Sequence, residues 1–163
     1  MRKKLSLLLL TLMVALSASA QFEQGKKYIS ASFSGLDLGY NGSSELNIGF
    51  QAKGGYFLAD NLAVVAQVGY NHIGADDVPD QASLGLQGRY YIIQNGIYLG
   101  AGATYKHSNH SYNDLMPSVE IGYAFFINRF VTIEPAIYYE QSFKDHSKYS
   151  NVGLRLGLGI YLF

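Results

Sequence analysis

A period of two, running from about residue 27 to the end, does most to limit what this chain can fold into. Near the C-terminus Val152, Leu154, Leu156, Leu158, Ile160 and Leu162 fall on every second position, and Gly153, Arg155, Gly157, Gly159 and Tyr161 fill the gaps. Successive side chains of a strand point to opposite faces, so such a stretch is a two-faced strand. The same alternation predicts eight strands, at about 27–40, 44–58, 62–72, 81–92, 97–107, 115–126, 130–142 and 150–163. The first changes phase at Gly35, between the Ile29, Ala31, Phe33 set and the Leu36, Leu38, Tyr40 set, which predicts a bulge. Asp60-Asn61, Gln94-Asn95-Gly96 and Asn128-Arg129 carry tight-turn chemistry. "IGADDVPD", "SNHSYND" and "FKDHSKY" read as longer polar loops on the opposite end, and "NGSS" as a short one.

The first twenty residues stand apart. Arg2, Lys3 and Lys4 precede a twelve-residue, largely apolar run from Leu5 to Leu16, and Ala18-Ser19-Ala20 offers a small-x-small cleavage pattern. This is the grammar of a secretory signal peptide, too short to cross a bilayer as a helix, which takes roughly 20 residues. The domain reading is therefore a cleaved signal at 1–20 and a barrel domain at 21–163. Cleavage before Gln21 would take three of the 12 basic residues and leave 9 against 12 acidic, a net charge of −3. That balance offers no footprint for nucleic acid. The absence of cysteine excludes a disulfide framework and any thiol chemistry.

Alternation leaves open whether the apolar face points into a core or out into lipid. One face of each strand is almost purely apolar, as in Leu62, Val64, Ala66, Val68, Tyr70 or in Val131, Ile133, Pro135, Ile137, Tyr139. The opposite face mixes Gly, Ser, Thr and Gln with sparse charges of both signs: Lys53, Arg89, Lys106, Glu120, Glu134 and Arg155. On the apolar face, Tyr40, Tyr70, Tyr105 and Tyr139 sit beside the longer loops, and Tyr56, Tyr90 and Phe125 beside the tight turns. Two aromatic belts around an aliphatic band are what two membrane interfaces select. Ten residues at ~3.3 Å, tilted ~45°, span about 24 Å, the height of such a band. The fold class is all-β: an eight-stranded antiparallel up-and-down transmembrane β-barrel, apolar side out.

With its "SASAQ" signal end, hairpins such as "GYFLADNLAV" and the closing "GLRLGLGIYLF", the whole mature chain resembles the small eight-stranded outer-membrane barrels of the OmpA/OmpX type. It looks closest to the stand-alone barrel-domain proteins of Bacteroidota. The resemblance implies an outer-membrane location among lipid and lipopolysaccharide. It also implies that the barrel-assembly machinery reads a final strand carrying Tyr161 and Phe163. The chain departs from the pattern in one respect: Tyr161 and Phe163 share parity with Arg155 rather than with the aliphatic set. Arg facing mid-bilayer would cost about 2–4 kcal/mol, so the aliphatic set is taken as outward. Tyr161 and Phe163 then point inward at the rim, unless the last residues shift register.

Candidate chemistry is thin. His72, His107, His110 and His146 fall at strand tops or in loops. His107 and His110, near Ser108 and Ser111, could approach a metal or form the base of an outer-leaflet lipid enzyme. No carboxylate is placed to orient either, and solvated loop residues are the expectation. Asp76, Asp77 and Asp80 lack the spacing of a calcium loop. No catalytic, cofactor or metal residues are assigned. The informative constellation is the inward charge set Lys53, Arg89, Glu120, Glu134 and Arg155, with Asp37 as a further candidate. Buried charges must pair, and Glu134 with Arg155, on neighbouring strands, is the expected pair. The function expected is structural, in an envelope protein with a side-chain-filled polar lumen. A narrow channel gated by that charge set is the alternative, and an outer-leaflet enzyme a more distant one.

Overall fold

The computed structural model describes residues 22–39, 44–45, 48–72, 81–92, 96–108, 112–144 and 150–162. The signal segment, Tyr40, Phe163, His110, His146, Asp76, Asp77, Asp80 and the Gln94-Asn95 turn lie outside the described residues, as do the side chains of Asp37 and His72.

Ten strand segments form one antiparallel sheet: β1 (Lys27–Gly39), β2 (Ser44–Glu45), β3 (Ile48–Ala59), β4 (Leu62–His72), β5 (Gln81–Tyr91), β6 (Ile97–Ser108), β7 (Tyr112–Tyr123), β8 (Phe125–Phe126), β9 (Val131–Glu140) and β10 (Asn151–Leu162). Short β2 precedes β3, and short β8 continues β7 past Ala124, so the wall has eight staves. Each stave pairs with the next along the chain, and β10 pairs with β1 as well as β9. That last pairing closes the sheet into a barrel and leaves no edge strand. The phase change at Gly35 is a register shift between Ser34 and Leu36.

The tight turns follow their sequence chemistry. Asn61 takes φ 65°, which Asn tolerates, and a register shift between Phe57 and Ala59 absorbs the extra residue. Asn128 Oδ1 accepts from the backbone N–H groups of Phe130 and Val131, closing the next turn. The fifth connection corrects the sequence reading. It is not a long loop, because Tyr112, Asn113 and Asp114 belong to β7 and pair with Ser108, His107 and Lys106. Pairing satisfies backbone groups however polar the side chains are, so the hairpin runs on past the apolar band.

The weakest junction in the wall is β7 with β9. Five residue pairs join them, from Ser118↔Glu140 to Gly122↔Ala136, and β8 resumes the same register at Phe125↔Ile133. The gap falls opposite Pro135. Val131 C=O accepts from Ile127 N at 2.9 Å, so odd-numbered residues of β9 turn their peptide groups toward β7 and β8. Pro135 is odd-numbered and has no N–H to give.

The apolar face points outward. Leu84 is 61 % exposed and Leu86 60 %, while the alternate positions Gly85, Gln87 and Arg89 are buried. Tyr56, Tyr70, Tyr90, Tyr105 and Phe125 are also exposed on that outer surface, and Tyr139 is half-buried.

Candidate functional site

The candidate site is the barrel interior, and it is layered. At the tight-turn end the first layer is aromatic. Phe22 lies ahead of β1, yet it is fully buried, stacked on Tyr91 with ring centroids 4.0 Å apart and edge-on to Tyr161 at 5.6 Å. Residues 23–26 form a turn in which Lys26 N–H donates to Glu23 C=O at 3.3 Å, with Gly25 at φ 89°. A positive φ at the third turn position is what glycine supplies. The turn folds the chain under the barrel. Asn61 N–H donates to Phe22 C=O at 2.7 Å, and Gly25 N–H to Phe57 C=O at 3.0 Å. Phe22, Phe57, Tyr28, Tyr91, Tyr98 and Tyr161 thus make a stopper across this mouth.

Above it lies the charge layer. Arg89, 0 % exposed, spans two carboxylates: Nη2 donates to Glu120 Oε1 at 3.0 Å and Nη1 to Glu134 Oε2 at 3.1 Å. Its guanidinium stands 4.0 Å from the Tyr98 ring centroid and 5.1 Å from that of Tyr28. Such stacking suits the planar, weakly hydrated arginine cation. Glu120 also receives Lys53 Nζ at 3.5 Å and the Arg155 guanidinium. Glu134 accepts from Tyr28 Oη at 2.5 Å, Thr132 Oγ1 at 2.9 Å and Tyr161 Oη at 2.9 Å. Tyr161 spends its one proton on Glu134, so in its 2.9 Å contact with Tyr91 it accepts. Arg89 donates in turn to Tyr91 at 3.4 Å. A directed ring results: Arg89 to Tyr91 to Tyr161 to Glu134, and back to Arg89 by charge.

Lys53, Arg89, Glu120, Glu134 and Arg155 therefore meet in one connected network, but not with the partners expected. Glu134 and Arg155 are not paired. Arg155 lies opposite Ala136 and Glu134 opposite Gly157, which puts the two on different ladders. Arg155 crosses the ring of Tyr138 at 4.1 Å and ends on Glu120, one stave further round. Glu134 is already claimed by Arg89 and three hydroxyls.

Glycines make room for these reaches. A Cβ at Gly85 would stand 2.6 Å from Gln67 Nε2, because that amide crosses β5 to donate to Thr104 Oγ1 at 2.9 Å. A Cβ at Gly159 would stand 2.5 Å from Glu134 Oε1.

Nearer the long-loop end Lys106 Nζ meets Glu140 Oε2 at 2.6 Å, and Ser142 Oγ donates to Asp114. His107, exposed, has Nδ1 2.6 Å from Asn113 Oδ1, and among the described residues no group of His, Asp and Glu is placed to hold a metal ion. Tyr161 points inward, as its parity with Arg155 predicts, but the sequence reading missed the other inward aromatics. Their signal was present: Tyr28, Phe57, Tyr91 and Tyr98 all have the polar face's parity and all stand near the tight-turn end.

Closed wall, apolar exterior and self-filled interior define the class: an eight-stranded antiparallel up-and-down transmembrane β-barrel. In particular, the fold is similar to that of the N-terminal β-barrel domain of OprF from Pseudomonas aeruginosa, with a TM-score of 0.66 and 16% identity over 85% of this chain and 98% of that one. It is also similar to neisserial surface protein A, NspA (TM-score 0.63, 16% identity, 85% of this chain and 97% of that one). A third likeness is to Ail, the attachment invasion locus protein of Yersinia pestis (0.55, 15% identity, 86% and 99%). No family model and no curated protein matches the sequence.

Proposed function

We propose that this is an integral outer-membrane protein with a structural role in the envelope, and that its lumen is a packed interior rather than an open pore. The observation that carries the reading is Arg89, fully buried and bonded to both Glu120 and Glu134 above an aromatic stopper. An eight-stranded barrel is just wide enough for side chains to fill. On this reading the segment 1–20 exports the chain and is removed. The short turns then face the periplasm, and the terminal strand with Tyr161 and Phe163 addresses the chain to the assembly machinery. The partners are outer-membrane lipid and lipopolysaccharide. The barrel catalyses nothing and takes no cofactor and no nucleic acid. The test is conductance of the refolded protein in planar bilayers, with fractionation of cells expressing it. A heat-modifiable band in the outer-membrane fraction and silent bilayers are expected. A band confined to the soluble periplasm would overturn the location, and steady wild-type conductance would overturn the packed lumen.

One observation favours the narrow channel as second reading. Gln51 Oε1, Gln87 Oε1 and the Nε atoms of Arg89 and Arg155 are buried without a protein partner. Buried polar atoms of that kind are ordinarily satisfied by water, and a hydrated lumen conducts if the stopper and the charge layer part. Brief openings that increase in Phe22→Ala would support it.

A further inference from the structure

The ring of Phe22 sits in a pocket that belongs to the whole circumference of the barrel. Its aromatic partners are Phe57 of β3, Tyr91 of β5, Phe126 of β8 and Tyr161 of β10, with ring centroids 6.1, 4.0, 5.7 and 5.6 Å away. Counted round the wall, these stand on the second, fourth, sixth and eighth staves. The pocket is therefore a product of closure. Phe57 and Tyr161 are 6.1 Å apart, centroid to centroid, because β10 pairs with β1. With that pairing undone and the sheet open, six inter-strand steps of ~4.8 Å would set them about 29 Å apart.

The backbone of the same segment is held differently. Phe57 N–H donates to Lys26 C=O and Gly25 N–H to Phe57 C=O, both at 3.0 Å, and Asn61 N–H donates to Phe22 C=O at 2.7 Å. Gln24 N–H donates to Asp60 Oδ1 at 2.9 Å, and its side-chain amide to Leu58 C=O at 3.0 Å. These bonds all end on the β3–β4 hairpin, which flanks β1 on the side away from β10. They need no contact with the last strand. Residues 22–26 are thus anchored on the first hairpin, while the Phe22 ring is covered in part by the strand made last.

We propose that Phe22 is a closure latch: its ring seats only once β10 has paired with β1, and it must be drawn out before that seam reopens. Residues 22–26 wait on the first hairpin, and the ring enters its pocket as the barrel shuts. A contact made after the transition state slows unfolding and leaves the folding rate nearly unchanged. The latch sets how long the closed barrel lasts, in addition to filling its mouth.

The test is the kinetics of folding and unfolding in phospholipid vesicles, followed in urea by the gel mobility of unboiled samples. Phe22→Ala should speed unfolding about a hundredfold, the whole effect of a buried Phe truncation, and change the folding rate by less than about twofold. Phe22→Leu keeps most of the bulk if the first variant folds poorly; it should speed unfolding several-fold, again with folding unchanged. The decisive background is a tethered seam. The chain has no cysteine of its own, and Ala31 lies opposite Leu158 on the outer face of the β1–β10 pair. A Cα spacing of about 5.5 Å in such a pair suits a disulfide, so Ala31→Cys with Leu158→Cys locks the seam. With the disulfide formed, Phe22→Ala should no longer speed unfolding, and reduction should restore the effect. Folding slowed as much as unfolding is quickened would put the ring in place before closure and overturn the latch. An undiminished effect in the oxidised, tethered barrel would overturn it as well, leaving Phe22 as ordinary packing.

Discussion

Arg89 and Glu120 meet across a glycine. Gly100 of β6 lies between them on a single ladder, opposite Arg89 on one side and Glu120 on the other, and the guanidinium closes to 3.0 Å. The space over Gly100 is taken by the Gln87 amide, whose Nε2 would be 2.1 Å from a Cβ there. Gly100 carries no side chain of its own, which leaves room over β6 for the Gln87 amide while Arg89 on β5 reaches the Glu120 carboxylate on β7.

Arg89→Met should be the most damaging single change in the lumen. Glu120 would keep Lys53 and Arg155, but Glu134 would be left with hydroxyl donors alone. Breaking a buried pair this way costs about 3–5 kcal/mol. The urea midpoint for unfolding from vesicles should fall accordingly. Arg89→Met with Glu134→Gln should cost less than the sum of the two, since no carboxylate is then stranded. Strict additivity would mean the two do not interact.

Phe22→Ala should cost about 3 kcal/mol, as for other buried Phe truncations. The same urea titration reads it. An unchanged midpoint would place residues 22–26 outside the barrel mouth.

Gly85→Ala should destabilise by about 1–3 kcal/mol, because the new methyl meets the Gln67 amide. In a Gln67→Ala background most of that cost should vanish. A double-mutant cycle with no coupling would show that the amide does not cross β5.

Leu86→Arg should cost about 2–4 kcal/mol, the penalty for a cation on the lipid face near mid-bilayer. Refolding yield in vesicles and urea stability both report it. An indifferent barrel would have Leu86 in water rather than in lipid.

Deleting Phe163 should lower the amount assembled in the outer membrane while leaving synthesis unchanged, measured by pulse-chase and heat-modifiability. Equal insertion would make the residue an ordinary strand end.

Much of the wall was legible before the fold was known, since the two-residue period is a local property of each strand. Val152 to Leu162 alone specify which face of β10 meets lipid, and the same parity put Tyr161 inside with Arg155. Pro135 read as one more outward apolar residue. Only the ladder reveals that its missing N–H falls on the β7 side and opens the seam. Phe22 carried no periodic signal at all, because it precedes the first strand and is placed by a turn.

By itself the sequence determined strand number, closure-compatible alternation, which face points out and the inward place of Lys53, Arg89, Glu120, Glu134 and Arg155, though it did not single out Asp114 and Glu140, which are buried with them. Strand number follows from counting the alternating runs between turns, and the facing of each residue from parity within its own strand. The sequence could not determine which charge meets which. Partner choice depends on the stagger that closing the barrel imposes between strands, on the glycines that let a side chain cross its neighbour, and on the competition of several donors for one carboxylate. Glu134 and Arg155 are on adjacent strands yet end on different partners, because register and reach, rather than adjacency, set the contacts inside a closed sheet.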